Sequence, residues 1–209
     1  MALPRPPQVL SLNPRSLQEV LESVVLVGNQ VGLPEAAAQA REQLESRLRA
    51  STRSPPQRPN VLFIEWPDPV FVGGHWTPQI LHNAGGTQRI NPEVGRKSFT
   101  VSDEDISRDD PDLIVVAPCG LNLEATAKVL RDVERHPVRG PWWRSLRAVQ
   151  QGRVYMADGS LMFNRPSHHL VAAQEWMAWV LSDPGTPASV RPAGSCPLPD
   201  FPWAPYVSE

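Results

Sequence analysis

Lysine is nearly missing from this chain: of its 20 basic residues, all but Lys97 and Lys128 are arginine, spread along the sequence rather than gathered. With a formal net charge of −2, there is no basic footprint of the kind that holds nucleic acid or an anionic membrane surface. Cysteine is scarce too. Cys119 and Cys196 lie far apart without metal-ligand spacing, which argues against a disulfide framework and leaves the redox compartment open. No run approaches the ~18 apolar residues of a membrane span. The opening MALPRPPQVL has neither the basic nor the apolar region of a secretion signal, so the chain as written is expected to be soluble and to begin in the cytosol.

Proline is abundant: 24 of 209 residues, well above the usual ~5%, and many fall at the ends and in linkers. Met1–Pro7 reads as a disordered lead-in and Val9–Leu12 as a short strand. Ser16 with Glu19 forms a capping-box signature ahead of a helix whose Leu17, Val20, Leu21, Val24, Val27 and Val31 share one face, ended by Gly32. Pro34 starts a second helix with a thin apolar stripe (Ala37, Ala40, Leu44, Leu48), as expected of a strut leaning on a neighbour along one edge. Ser54–Pro59 is a stiff connector and marks a boundary.

Val61–Glu65 is the first buried strand. An aromatic loop through Trp76 follows, then a short helix from Thr77-Pro78 to Gly85-Gly86. Gln88–Ile90 reads as an edge strand and Asn91–Thr100 as loop. Leu113–Ala117 is the clearest strand, apolar throughout and so buried on both faces. Asn122 caps the helix after it. Trp142, Leu146 and Val149 share a helical face, Arg153–Ala157 is a further strand, and Leu170, Ala173, Met177 and Leu181 face inward on the last helix. Gly185–Glu209, rich in proline and without period, reads as a disordered tail.

Strands alternating with helices predict an α/β fold with a mainly parallel sheet covered on both faces. Its strand ends gather three turns on one rim, where open α/β sheets bind ligands: Glu65–Trp76, Pro118–Asn122 and Asp158–Arg165. Trp66 and Trp76 suit stacking on an apolar ligand or simply capping the sheet. His75 either bonds a backbone carbonyl, contacts a carboxamide of a ligand or ligates a metal centre in the ligand. Glu65 requires a partner, Arg165 or loop amides, because an unpaired buried carboxylate is costly. Cys119 at a strand-to-helix turn offers a nucleophile or a small hydrophobe. Arg165 is either a loop brace or an anion contact. His168-His169, with His75 and His82, raises a metal site, but neighbouring helical positions point ~100° apart.

Three segments carry a resemblance: FIEWPDPVFVGGHWTPQILHNAGG, DPDLIVVAPCGLNLEATAKVL and WWRSLRAVQQGRVYMADGSLMFNRPSHHLV. Across about Val9–Pro184 the chain resembles ABC-transporter substrate-binding proteins for cobalamin and related siderophore or haem-type ligands. The resemblance implies a non-catalytic binding protein with two α/β lobes joined by a long helix, matched here by Glu35–Ala50. Residues 1–33 then correspond to a remnant of the N-terminal lobe, 34–56 to connecting helix and linker, 57–184 to the C-terminal lobe and 185–209 to the tail. Most of one lobe has no counterpart, and Ser167-His168-His169 stands where the family has a Gly-Pro-Arg-like run. Asn164 occupies the place of an acidic residue that docks on permease arginines. The expected ligand contacts are Glu65, Trp66, Gly74, His75, Trp76, Cys119, Asp158, Phe163, Asn164 and Arg165, with cobalamin or a similar tetrapyrrole as ligand and no separate cofactor. A partner protein or permease is the expected macromolecular contact, and the chain is expected to be a monomer or weak homo-oligomer. Relatives of this type are periplasmic.

Overall fold

The computed structural model describes residues 8–136, 139–191 and 193–207; the lead-in expected at Met1–Pro7 lies outside them. Helix α1 (Leu17–Gln30) starts where expected, with the Ser16 hydroxyl accepting from the Glu19 amide at 3.2 Å. Its buried positions are Leu17, Val20, Leu21 and Gly28, whereas Val27 and Val31 are exposed. The cause is Gly28, where any Cβ would overlap the Ala37 side chain. Helix α2 (Pro34–Ser51) crosses on that bare face and leaves its neighbours outside. The strand expected at Val9–Leu12 does not form; the segment has no ladder partner and Val9 is 86% exposed.

Strand β1 (Val61–Pro67) lies at the centre of a six-stranded sheet. It pairs in parallel with β4 (Leu113–Val116), and β4 in parallel with β5 (Val154–Ala157). Beyond β1, β2 (Val70–Val72) turns back antiparallel, and β3 (Phe99–Thr100) pairs antiparallel to β2. Beyond β5 lies antiparallel β6 (Trp203–Pro205), giving the order β3-β2-β1-β4-β5-β6. Because β3 reverses β2, which reverses β1, four of the six strands run the same way. The α/β class and the mostly parallel sheet are as expected.

Alternation along each strand sorts the core into two layers. Phe63, Leu113, Val115 and Tyr155 face one side with α3 (Thr77–Asn83) and α8 (His169–Val180). Leu62, Ile64, Ile114, Val116 and Met156 face the other, under α4 (Asp103–Asp109), α5 (Leu123–Arg135), α6 (Arg139–Ser145) and α7 (Arg147–Gln150). The strut α2 packs on α8, where the buried Gln174 amide donates to the Leu48 carbonyl (2.9 Å) and the Ser51 hydroxyl (2.8 Å) and accepts from Asn83 (2.9 Å). A buried amide with donors and acceptor all engaged fixes spacing as well as contact.

Three further expectations are corrected. Gln88–Ile90 is not an edge strand, since only Thr87 bridges, to Asn60. Gln88 is instead a buried brace, its amide donating to the Gly73 carbonyl at 2.8 Å. The edge is taken by β2 and β3, drawn from segments read as loop, because three- and two-residue strands are too short to show a period. The face of Trp142, Leu146 and Val149 is not one helix. Leu146 is extended between α6 and α7, and Trp143 is the buried ring while Trp142 bonds the Asp103 carbonyl (3.0 Å).

Contrary to the disorder expected of the tail, its described residues, 185–191 and 193–207, pack against the domain. Phe201 stacks flat on Trp176 (4.9 Å between centroids, 6°), Trp203 packs on Tyr155 and Trp179, and the Tyr206 hydroxyl donates to the Glu134 carboxylate. Proline removes a donor but tolerates an edge strand, and three aromatic anchors supply the burial that a proline-rich composition conceals.

Candidate functional site

The three turns meet on the carboxyl rim. The Cys119 amide donates to the Glu65 carbonyl (3.1 Å), the Asn164 side-chain amide to the Ala117 carbonyl (2.9 Å), and the Trp76 indole N–H to the Phe163 carbonyl (2.7 Å). Gly159 closes the junction, for a Cβ there would press on the carbonyl oxygens of Ala117 and Pro118. Asp158 accepts from the Leu161 amide (2.8 Å) and starts a π-helical turn over Gly159–Phe163, a single-turn form frequent at functional sites.

The first turn is braced from beneath by 91–98, a segment whose role the sequence did not disclose. The His75 amide donates to the Arg96 carbonyl (2.6 Å) and the His75 carbonyl accepts from Gly95 (2.8 Å). These bonds hold His75 at φ 54, a left-handed conformation that is uncommon for a side chain-bearing residue and disproportionately taken by His, Asn and Asp. Gly74 is required beside it, because a Cβ would strike the backbone of 96–98. Asn91 is fully buried and donates to the Gly73 carbonyl (3.1 Å). The one available signal was a buried-type amide in a loop that otherwise read as featureless.

Glu65 is half-buried and accepts from the Ser98 hydroxyl. The expected Arg165 partner lies elsewhere, exposed, with a long contact to Ser160 (3.4 Å). Phe163 is fully buried among Phe63, Trp176 and Phe201, so its carbonyl is at the site and its ring is core. Trp76 is 8% exposed and Trp66 37%; Trp66 is the open aromatic, its indole N–H held by the Asp68 carbonyl (3.0 Å). Between Glu65, Gly74, His75, Trp76, Phe163 and Asn164 sits a niche of about 120 Å³. Around it the rim is open, with Trp66, Cys119, Leu161 and Arg165 exposed.

A model of the periplasmic binding protein family matches residues 5–161, three quarters of the chain. The chain belongs to that family. Solved structures of similar fold include an ABC transporter substrate-binding protein from Listeria monocytogenes EGD-e, with TM-score 0.70 and 21% identity over 82% of this chain and 67% of that one. The periplasmic heme-binding protein RhuT from Roseiflexus sp. RS-1 aligns with TM-score 0.65 and 19% identity over 83% and 65%. The periplasmic vitamin B12 binding protein BtuF of Vibrio cholerae aligns with TM-score 0.61 and 20% identity over 83% and 64%. The chain thus spans about two thirds of the length of these proteins. No curated protein matches it.

The remaining chemistry at the rim is sparse. Rings of His168 and His169 lie 4.2 Å apart, and burial, then the neighbouring His168, holds the His169 imidazole below its usual value. Among the described residues no three His, Cys, Asp or Glu side chains gather as a metal site, and no helix is long and apolar enough to cross a membrane. Cys119 is exposed, whereas Cys196 is buried and its thiol is pushed up by that burial. Titration with a disulfide reagent at neutral pH is therefore expected to show one thiol reacting promptly and one only on unfolding. Two prompt thiols would contradict the placement of Cys196.

Proposed function

We propose that this chain is a non-catalytic solute-binding lobe that holds a sizeable, partly apolar ligand of the cobalamin or tetrapyrrole type against the carboxyl rim. The observation that supports this best is the meeting of three turns around a small polar niche, on a rim where Trp66 is exposed. The niche of about 120 Å³ is far below the ~300 Å³ at which small-molecule pockets begin. It suits a projecting carboxylate or carboxamide, which the Asn164 amide or the His75 imidazole would meet, while the ring system lies against the exposed Trp66. Residues 1–33 are read as belonging to a second lobe, which would cover the ligand's other face. Asn164 turns its amide inward to Ala117, so on this reading it does not replace the acidic permease contact implied by the resemblance.

Titration with cyanocobalamin or hemin is expected to quench tryptophan fluorescence saturably at 1:1 stoichiometry. Trp66→Ala should weaken binding about tenfold, as loss of a ~1.4 kcal/mol stacking contact implies. Neither quenching nor calorimetric heat at tens of micromolar ligand would remove this reading. A second reading, an interaction protein that has lost its ligand, draws support from exposed Leu26, Val27, Val31 and Leu33 near the α1–α2 turn. It requires self-association or a stable complex on size-exclusion chromatography.

A further inference from the structure

A cavity larger than the rim niche lies away from it. A cleft of about 560 Å³ opens between the end of α2, the last turns of α8 and the tail, within the range of small-molecule sites. Helix α8 leaves the rim at His169, so Trp179, which lines the cleft, lies about 15 Å further along its axis. Ala50, Ala178 and Leu198 supply the other apolar surface. The tail wall and α8 both lie beyond residue 161, outside the stretch that the family model matches.

The walls are fixed. Arg47 and Glu175 join α2 to α8 as a two-pronged pair (2.8 and 2.7 Å), beside the Gln174 bonds described above. The Trp179 ring is held by the Arg191 guanidinium over it (4.7 Å) and by the Trp203 ring (5.1 Å). Among the lining residues two guanidiniums, Arg47 and Arg53, stand against one carboxylate, Glu175. Arg47 is satisfied by Glu175. Arg53 uses Nη1 on the carbonyls of Ala50 (2.8 Å) and Thr52 (3.0 Å), which places its charge at the cleft with further donors in its fork.

We propose that this cleft is a second small-molecule site, for a flat, largely apolar monoanion such as an aromatic carboxylate or sulfonate. The aromatic and aliphatic walls take the body and Arg53 takes the charge. Nothing in this depends on the rim reading.

The probe is 1-anilinonaphthalene-8-sulfonate, titrated against the full chain. Saturable 1:1 binding with energy transfer from tryptophan is expected. Ala50→Trp, at an exposed helical position, fills the cleft and should weaken binding at least tenfold with an unchanged circular dichroism melt. Arg53→Glu should weaken the sulfonate about tenfold but leave the neutral analogue N-phenyl-1-naphthylamine unaffected, which separates loss of charge recognition from loss of fold. Trp66→Ala tells the sites apart: unchanged dye affinity places the dye in the cleft, and lost affinity places it on the rim and overturns the proposal. Absence of saturation, or full binding by both cleft variants, would equally overturn it.

Discussion

Phe201→Ala is expected to lower the unfolding free energy by about 3–5 kcal/mol, the range for removing a buried aromatic ring. Phe201 is 6% exposed and stacks on the fully buried Trp176. Its loss leaves a void against Trp176 and Phe163 and loosens the approach to β6, two residues on. A domain of this size has on the order of 10 kcal/mol to lose, so the effect is large. Urea unfolding followed by circular dichroism measures it. A tail lying free of the domain would give no change, so an unaltered midpoint would reject the packing described here.

Gly159→Ala is expected to cost about 3 kcal/mol, at the upper end of overpacking penalties. The atoms that a new methyl would meet are backbone oxygens of Ala117 and Pro118, which cannot rotate away as a flexible side chain would. Relief must come from parting the second and third turns, which stretches the Asn164 to Ala117 bond. Both stability and rim binding should fall together. A variant that melts like the parent while retaining ligand would show that the junction has slack.

Much of this was written in the residues. The uninterrupted Leu113–Ala117 run, the Ser16 and Asn122 caps and the Gly85-Gly86 stop are local signals, and local physics placed them to within a residue or two. What stayed hidden depended on contacts distant in sequence. Nothing around Phe71 announces a strand until β3 arrives from residue 99, and Glu65 could not be matched to Ser98 rather than Arg165 without the fold. Val27 and Val31 obey the helical period, yet Gly28 brings α2 onto a different face. The resemblance implies Phe163 as a ligand contact, but its ring is buried in the core and its carbonyl accepts from Trp76. Composition misled most in the tail, where prolines outnumber the three aromatic anchors that determine its position.

The antiparallel pairing of β6 with β5 also sets an order of events during synthesis. When β5 has left the ribosome its outer edge has no neighbour, and it stays bare until α8 and the whole proline-rich passage have followed. An uncovered strand edge is a template for pairing with other chains, and domains begin folding while still being made. The nascent protein therefore passes through an interval in which its sheet is open on one side. A stall within that passage would lengthen the interval, and crowded translation would raise the chance that two such chains join during it.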